Sequence, residues 1–228
     1  MVLRSIALAV LAPATALLGS VILANPAYAC TTSHHFIGAY GITEPANTLF
    51  ATQVEMTTDA AKQNCQSSSV WPMLYAGSNP DTEFAQIGLL QENGQTQQYV
   101  FYEYATTTSY ILPQELFVAP SGKYANKVVY NGSRSQWYFY WNGTAEAGSN
   151  ALGWTPVSAE YFGEVWATQD YVPGSPAVPE NVSQIQYRNS GTTWYSYTSG
   201  QLGYSNGTNY GRFSAKNTDS FGIYDSRA

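Results

Sequence analysis

The 228-residue chain is 44% hydrophobic, 15% aromatic and only 11% charged, with a formal net charge of -6. Its nine Lys and Arg residues form no basic cluster, which excludes the electrostatic surface that nucleic-acid binding requires. The two histidines, His34 and His35, are adjacent and would point to opposite faces of a strand, and the two cysteines lack a Cys-x-x-Cys spacing. This pattern predicts no metal site, and it favours surface positions for both histidines.

The first 29 residues have the features of a signal peptide. Arg4 supplies a positive charge, residues 6–24 are mostly apolar, and Ala27-Tyr28-Ala29 has the small-x-small pattern of a cleavage site. Cleavage there leaves residues 30–228 as one sizeable domain with a net charge of -7 and no membrane segment. A lipid anchor on Cys30 is the alternative, but Ala27 occupies the position where that chemistry usually requires Leu. We therefore expect a secreted monomer.

The two cysteines, Cys30 and Cys65, are expected to form one disulfide in an exported chain. Such a bond ties the N-terminus to the body of the domain and contributes about 3–4 kcal/mol for a loop of this size. Pairing also consumes both thiols, which argues against a nucleophilic cysteine.

Short segments rich in Tyr, Trp, Val and Thr recur along the mature chain, and no long segment has the apolar stripe of a helix. Gly, Asn, Pro and Ser separate them, as is typical of strands joined by turns. The predicted strands are Gln97–Ala105, Lys127–Tyr130, Gln136–Trp141, Ser158–Ala167, Ser183–Arg188 and Thr193–Thr198. Many short strands without intervening helices predict a single all-β domain, either an antiparallel β-sandwich or a jelly roll.

Asn-Gly pairs mark the predicted reversals between strands. This dipeptide favours the tight turn in which both central residues have a positive φ. The strand Lys127–Tyr130, the pair at 131–132 and the strand Gln136–Trp141 make the clearest predicted hairpin. The four pairs lie at 93–94, 131–132, 142–143 and 206–207.

The segment Ala159–Ala167 carries two carboxylates on an otherwise apolar strand. Strand alternation puts one set of four side chains on one face, namely Glu160, Phe162, Glu164 and Trp166. Two acids beside Phe and Trp are unlike a plain solvated edge, and they indicate the floor of a cleft. The strand rise separates the two acids by about 13 Å, which is too far for a carboxylate dyad.

Two strands upstream carry further polar groups on apolar faces. Glu103 lies on the face of Gln97–Ala105 that also carries Phe101, and Gln86 shares a face of 84–90 with Gly88. A buried carboxamide without a partner costs roughly 1–3 kcal/mol, so we expect Gln86 to be hydrogen-bonded or functional. Gly88 leaves space above the sheet for an approaching group.

The chain lacks a Gly-x-Ser-x-Gly elbow, a His-Glu-x-x-His motif and a Gly-rich phosphate loop. The remaining catalytic groups are carboxylates, carboxamides and phenols. A carboxylate that activates water, without a cofactor, is the chemistry that this inventory allows.

The order of these motifs resembles the glutamic peptidases called eqolisins. Gln86-x-Gly88, Tyr102-Glu103-Tyr104 and Ala159-Glu160-x-x-x-Glu164 are similar in order and spacing to that family's Gln-x-Gly, Tyr-Glu-Trp and Ala-Glu-x-x-x-Glu motifs. Trp71 falls where the family has a Trp before the Gln. The resemblance runs from about residue 71 to residue 166, roughly half of the mature chain. It implies a secreted, acid-acting endopeptidase with a concanavalin-like β-sandwich fold and an extended polypeptide as substrate.

The resemblance also implies roles for individual residues. Gln86 and Glu164 match the catalytic pair, which holds a water molecule: Glu164 takes a proton from the water, and Gln86 stabilises the oxyanion. This mechanism requires both residues on neighbouring strands of one face. The residues expected to line the same substrate site are Trp71, Glu103, Glu160 and Trp166.

Sugar binding is a second interpretation of the same composition. Aromatic rings stack on pyranose rings, and the amides of Asn and Gln bond to hydroxyl groups. A carbohydrate-binding or carbohydrate-active jelly roll with a polysaccharide partner, and a secreted relative without catalytic activity, are therefore alternatives. A glycosidase is disfavoured, because two acids on one strand do not flank a glycosidic bond from opposite sides.

Overall fold

A computed structural model describes residues 30–43, 48–76, 82–189, 191–197, 204–205, 207–214 and 219–228. The predicted signal peptide lies outside the described residues. Throughout these ranges the chain forms strands and turns, and no helix is present that could cross a membrane.

Strands in the described residues form two antiparallel sheets. The seven-stranded sheet has the order β13-β1-β10-β3-β4-β5-β6, and the eight-stranded sheet has the order β14-β15-β11-β2-β7-β8-β9, with β12 paired to β11. The strands are β1 (Thr32–Thr43), β2 (Ala51–Thr57), β3 (Ser67–Tyr75), β4 (Phe84–Glu92), β5 (Tyr99–Ala105), β6 (Tyr110–Val118), β7 (Lys123–Asn131), β8 (Gln136–Trp141), β9 (Thr144–Ser149), β10 (Ser158–Ala167), β11 (Glu180–Arg188), β12 (Tyr195–Ser196), β13 (Tyr204–Ser205), β14 (Tyr210–Ser214) and β15 (Phe221–Asp225).

The main core lies between the two sheets. Alternate residues of each strand point inward, so Trp137 and Phe139 of β8 and Tyr161 and Val165 of β10 are all fully buried in one cluster. The residues at the intervening positions of these two strands face outward. The predicted single all-β sandwich is therefore confirmed.

The predicted strands agree with the structure where the aromatic alternation is strong. β8 and β10 have the predicted bounds, whereas the predicted strand at Thr193–Thr198 is limited to Tyr195–Ser196 in the described residues. The prediction missed several strands, among them β1, β2 and β9. It also missed β3 and β6, each of which contains a proline, a residue that weakens a strand assignment. Both are long strands of the seven-stranded sheet.

The predicted turn type is right for one Asn-Gly pair. Asn142 and Gly143 both have a positive φ, 45° and 87°. At 93–94 only Gly94 has one, and at 131–132 neither residue does. The β7–β8 hairpin is present, but Asn131 pairs with Gln136, so its loop has four residues and the prediction of a two-residue turn there is wrong. Residue 206 of the last pair lies outside the described part of the chain.

The predicted disulfide between Cys30 and Cys65 is confirmed. It joins the residues before β1 to the residues before β3. Nearby, the buried carboxylate of Asp170 accepts hydrogen bonds from the backbone N–H groups of Asn64, Cys65 and Gln66 at 2.7–2.8 Å. The N-terminal strand is thus anchored covalently beside β10.

Replacing both Cys30 and Cys65 by Ser is expected to lower the free energy of unfolding by about 3–4 kcal/mol, because the bond closes a loop of 35 residues. Urea denaturation of the double variant and of the native protein measures this difference. A loss below about 1 kcal/mol would show that other contacts hold β1 in place.

Candidate active site

The outer face of the seven-stranded sheet, which points away from the core, carries a second apolar cluster. In an antiparallel sheet, residues that are paired across strands share a face. The register therefore places four polar side chains of the predicted site, Gln86, Glu103, Glu160 and Glu164, on this outer face. The buried members of the cluster are Trp71, Met73, Tyr75, Phe84, Leu90, Phe101, Ala105 and Phe162.

One row of paired residues crosses four strands of the outer face. Glu160 on β10 pairs with Met73 on β3, Met73 pairs with Gln86 on β4, and Gln86 pairs with Glu103 on β5. Gln86 and Glu160 are therefore separated by two strand spacings, about 10 Å between their backbones. The carboxyl of Glu160 and the carboxamide of Gln86 thus project from the same face, with the buried side chain of Met73 between them.

Glu164 lies in a different row of the same face. It pairs with Ser69, Ser69 pairs with Leu90, and Leu90 pairs with Tyr99. The prediction that Gln86 and Glu164 occupy neighbouring strands is wrong, because β3 lies between β10 and β4. The two residues share a face, but they differ by one intervening strand and by about 13 Å of strand rise.

The carboxylate of Glu164 is only 5% exposed and is surrounded by donors. Its Oε2 accepts hydrogen bonds from the Trp71 indole N–H at 2.8 Å and from the Ser69 hydroxyl at 3.0 Å. Its Oε1 contacts Nε2 of His34. These contacts occupy both carboxylate oxygens and place Trp71, a predicted substrate-site residue, beside Glu164.

His34 is a site residue that the sequence analysis missed. Its ring stacks on Trp166 at a centroid distance of 3.9 Å and packs against Phe36 at 4.2 Å. Trp166 itself is 37% exposed, so this aromatic pair borders the outer face beside Glu164. His34 is partly exposed, with 33% of its side chain accessible, and the sequence analysis missed its contact with Glu164. One feature of the sequence could have indicated an ordered position for His34: it lies on a strand that begins just after the disulfide cysteine Cys30.

Gln86 and Glu103 form a buried hydrogen-bonded pair at the other side of the face. Gln86 is 3% and Glu103 is 6% exposed. Nε2 of Gln86 donates to Oε1 of Glu103, and the Tyr110 hydroxyl donates to Oε2 at 2.9 Å. The expectation that Gln86 is hydrogen-bonded is confirmed.

The pKa of Glu103 is raised to about 8, first by burial and then by the nearby charge of Glu164. Glu103 is therefore a neutral carboxylic acid at acid and neutral pH. Its neutrality limits the repulsion that several carboxylates on one face would otherwise exert on each other.

The space above Gly88 is occupied by the protein itself. A Cβ at this position would lie 2.0 Å from the carbonyl oxygen of Val70 and 2.8 Å from the Cβ of Trp71. The expectation that Gly88 makes room for an approaching ligand is wrong. It makes room for Trp71, whose indole then reaches Glu164.

The described residues include no group of three or more His, Cys, Asp or Glu side chains that could hold a metal ion. The groups that the site does offer are a carboxyl and a carboxamide across one row, a neutral acid beside the carboxamide, and aromatic walls. This set can bind a carbonyl oxygen and activate a water molecule.

Neither protein-family models nor curated proteins match this sequence. Solved structures do match the fold. Scytalido-glutamic peptidase with a peptide-based transition state analog superposes with a TM-score of 0.58 at 10% identity, over 86% of this chain and 100% of that chain. SCP-B, a member of the eqolisin family in complex with the tripeptide Ala-Ile-His, gives a TM-score of 0.59 at the same identity and the same two coverages.

A β-glucanase from Bacillus licheniformis overlaps less, with a TM-score of 0.40 and 14% identity over 53% of this chain and 54% of that chain. The resemblance to eqolisins inferred from the motifs is thus confirmed for the fold. The match to the two peptidases shows a shared fold. At 10% identity it does not show the role of any residue of this chain.

The raised pKa of Glu103 predicts that the folded protein loses stability as the pH rises from about 5 to about 8. The unfolded chain releases this proton near the ordinary value of 4.5, whereas the folded protein keeps it until about pH 8. The free energy of unfolding therefore falls across this interval, by at most about 1.4 kcal/mol per pH unit. Glu180, whose pKa is raised by burial and by Asp59, acts in the same direction.

Urea denaturation at pH 5, 6.5 and 8 measures this slope. It should be smaller in Glu103→Gln and unchanged in Glu92→Gln, an exposed acid at the end of β4. Equal slopes in all three proteins would contradict the assignment of a buried neutral acid at Glu103.

Gly88→Ala is expected to destabilise the fold by about 1–3 kcal/mol, because the added methyl group must displace the β3 backbone and Trp71. The fluorescence of Trp71 should change with it, since its hydrogen bond to Glu164 depends on the same position. Gly94→Ala is the control for glycine replacement, because its Cβ meets open space although its φ is positive. A Gly88→Ala protein as stable as the native one would contradict this packing.

Proposed function

We propose that this chain is a secreted endopeptidase of the glutamic type, which hydrolyses peptide bonds with one Glu and one Gln at acid pH. The observation that supports this best is the row that places Glu160, Gln86 and Glu103 on the outer face, with Met73 between Glu160 and Gln86. The fold shared with two peptidases that carry peptide ligands supports it further.

In the proposed reaction, a water molecule and the peptide carbonyl lie between Glu160 and Gln86. Ionised Glu160 takes a proton from the water as it attacks the carbonyl carbon. An N–H of Gln86 donates a hydrogen bond to the developing oxyanion, a contact worth roughly 3 kcal/mol at a site from which water is excluded. Glu160 then gives the proton to the departing amine, so that the reaction ends with the enzyme in its starting state.

Glu164 is the acid that the sequence analysis predicted for this role, and it is the alternative base. Its oxygens are already bound by Ser69, Trp71 and His34. In this proposal Glu164 holds the Trp71 and His34 side chains at one end of the peptide site, and the variants below distinguish the two acids.

The substrate proposed is an extended polypeptide that crosses the strands of the outer face. Trp71, Phe101 and Phe162 belong to the buried apolar cluster beneath it. Trp166 on β10 and Tyr110 on β6, which is 46% exposed, lie on opposite sides of the row. Exposed aromatic rings at both sides suit the burial of peptide side chains.

A carbohydrate ligand is the second candidate, and one observation favours it. The ring of Trp166 is 37% exposed and stacks on His34 on one side. An exposed aromatic ring of this kind can stack on a pyranose ring. Retention on an insoluble polysaccharide that is lost in Trp166→Ala, together with no proteolysis, would select this candidate.

The decisive variants are Glu160→Gln and Glu164→Gln, which change the same group on the same strand and face. Glu160→Gln is expected to lower kcat/KM for a denatured protein at about pH 4 by at least a thousandfold, because it removes the base. Glu164→Gln should act mainly on KM, because it loosens Trp71 and His34. Both rates are measured on purified mature protein.

Glu92→Gln is the control for the loss of one charge and should keep native activity. If Glu164→Gln abolishes turnover while Glu160→Gln keeps it, the base is Glu164. Cleavage that persists in Gln86→Leu and in both acid variants would point to a contaminating protease and would contradict the proposed function.

A further inference from the structure

The carboxamide of Gln86 has two ends with opposite hydrogen-bonding properties. In the structure its Nε2 donates to Oε1 of Glu103, while the hydroxyl of Tyr110 donates to Oε2 at 2.9 Å. Glu103 thus accepts two hydrogen bonds and donates none, an arrangement that suits an ionised carboxylate. It also turns the oxygen of the Gln86 carboxamide away from Glu103.

The neutral form of Glu103 needs an acceptor for its O–H group, and a rotated Gln86 carboxamide supplies one. A neutral carboxyl has one O–H group, and a buried donor without an acceptor costs roughly 1–3 kcal/mol. A rotation of about 180° around the last side-chain bond of Gln86 exchanges its amide oxygen and nitrogen with little change in shape. Glu103 can then donate to Oε1 of Gln86 while Tyr110 still donates to Glu103. Nε2 of Gln86 turns toward the Glu160 side of the row.

We propose that Glu103 is a positioning residue whose proton determines which end of the Gln86 carboxamide faces the substrate. With Glu103 protonated, Gln86 presents N–H groups where an oxyanion develops. With Glu103 ionised, Gln86 presents its oxygen there, which repels an oxyanion. The consequence for catalysis rests on the proposed function, whereas the coupling between Glu103 and Gln86 is a property of the free protein.

The groups around Glu103 favour the protonated form over a wide pH range. Gln86 faces it from β4, Tyr110 from β6 and Glu164 from β10, and Glu160 lies in the same row. The charge of Glu164 adds to burial in raising the pKa of Glu103 to about 8. Burial and Glu103 also raise the pKa of Tyr110, so its hydroxyl stays protonated throughout. Glu103 is therefore the group that changes state near pH 8.

The test follows the side-chain amide signals of Gln86 by ¹H–¹⁵N NMR between pH 5 and pH 9, with their assignment from their loss in Gln86→Leu. In the native protein both amide signals should shift with one midpoint near pH 8. In Glu103→Gln they should not shift, because the new carboxamide donates to Gln86 at every pH. Glu92→Gln, an exposed acid on the same strand as Gln86, should keep the native transition.

Two results would overturn the inference. One is a set of Gln86 signals that stays constant while the carboxyl ¹³C signal of Glu103 titrates. The other is a transition that persists in Glu103→Gln, which would assign it to a different group.

Peptidase activity separates this inference from the proposed function. In the native protein kcat/KM should lose an additional factor of about ten per pH unit above pH 8, beyond the decline that an acid-acting enzyme already shows, and this additional loss should be absent in Glu103→Gln. A coupled transition of Gln86 without cleavage at any pH would uphold the inference and refute the proposed function. Cleavage without the coupled transition would do the reverse.

Discussion

The hydrogen-bond register between β10, β3, β4 and β5 is the constraint on which the site depends. A shift of one residue in any of these strands would move its side chains to the opposite face of the sheet. Because side chains alternate, the same register that buries Tyr161 and Val165 in the core directs Glu160 and Glu164 outward. The core and the site are therefore specified together.

Three glutamates of the outer face differ in their burial and in their hydrogen-bond partners. Glu103 is buried beside a carboxamide and a phenol, and burial keeps it neutral up to about pH 8. Glu164 is equally buried, but its neighbours are an indole N–H, a hydroxyl and an imidazole, which all bind its oxygens. Glu160, in line with Gln86, is more exposed than either. Three acids on one face thus have three different environments.

The sequence alone predicted the class of fold and the face of each acid, because both depend on local alternation and on turn residues. Ser158–Ala167 is the clearest case, since its bounds and both of its faces agree with the structure. The order of strands within the sheet depends on contacts between distant segments, which local patterns do not encode. This is why Gln86 and Glu164 were expected on neighbouring strands, although β3 lies between β4 and β10. The role of His34 was hidden for the same reason, because it arises only when β1 pairs with β10.

The most direct test of the account is a crystal structure with an extended peptide in which a hydroxyethylene group replaces one peptide bond. Its hydroxyl stands in for the oxygen of the attacked carbonyl. The account predicts that the chain of the inhibitor crosses the outer face and that this hydroxyl lies about 3 Å from both the Gln86 carboxamide and the Glu160 carboxylate. An inhibitor whose hydroxyl contacts Glu164 out of reach of Gln86, or that binds away from this face, would contradict it.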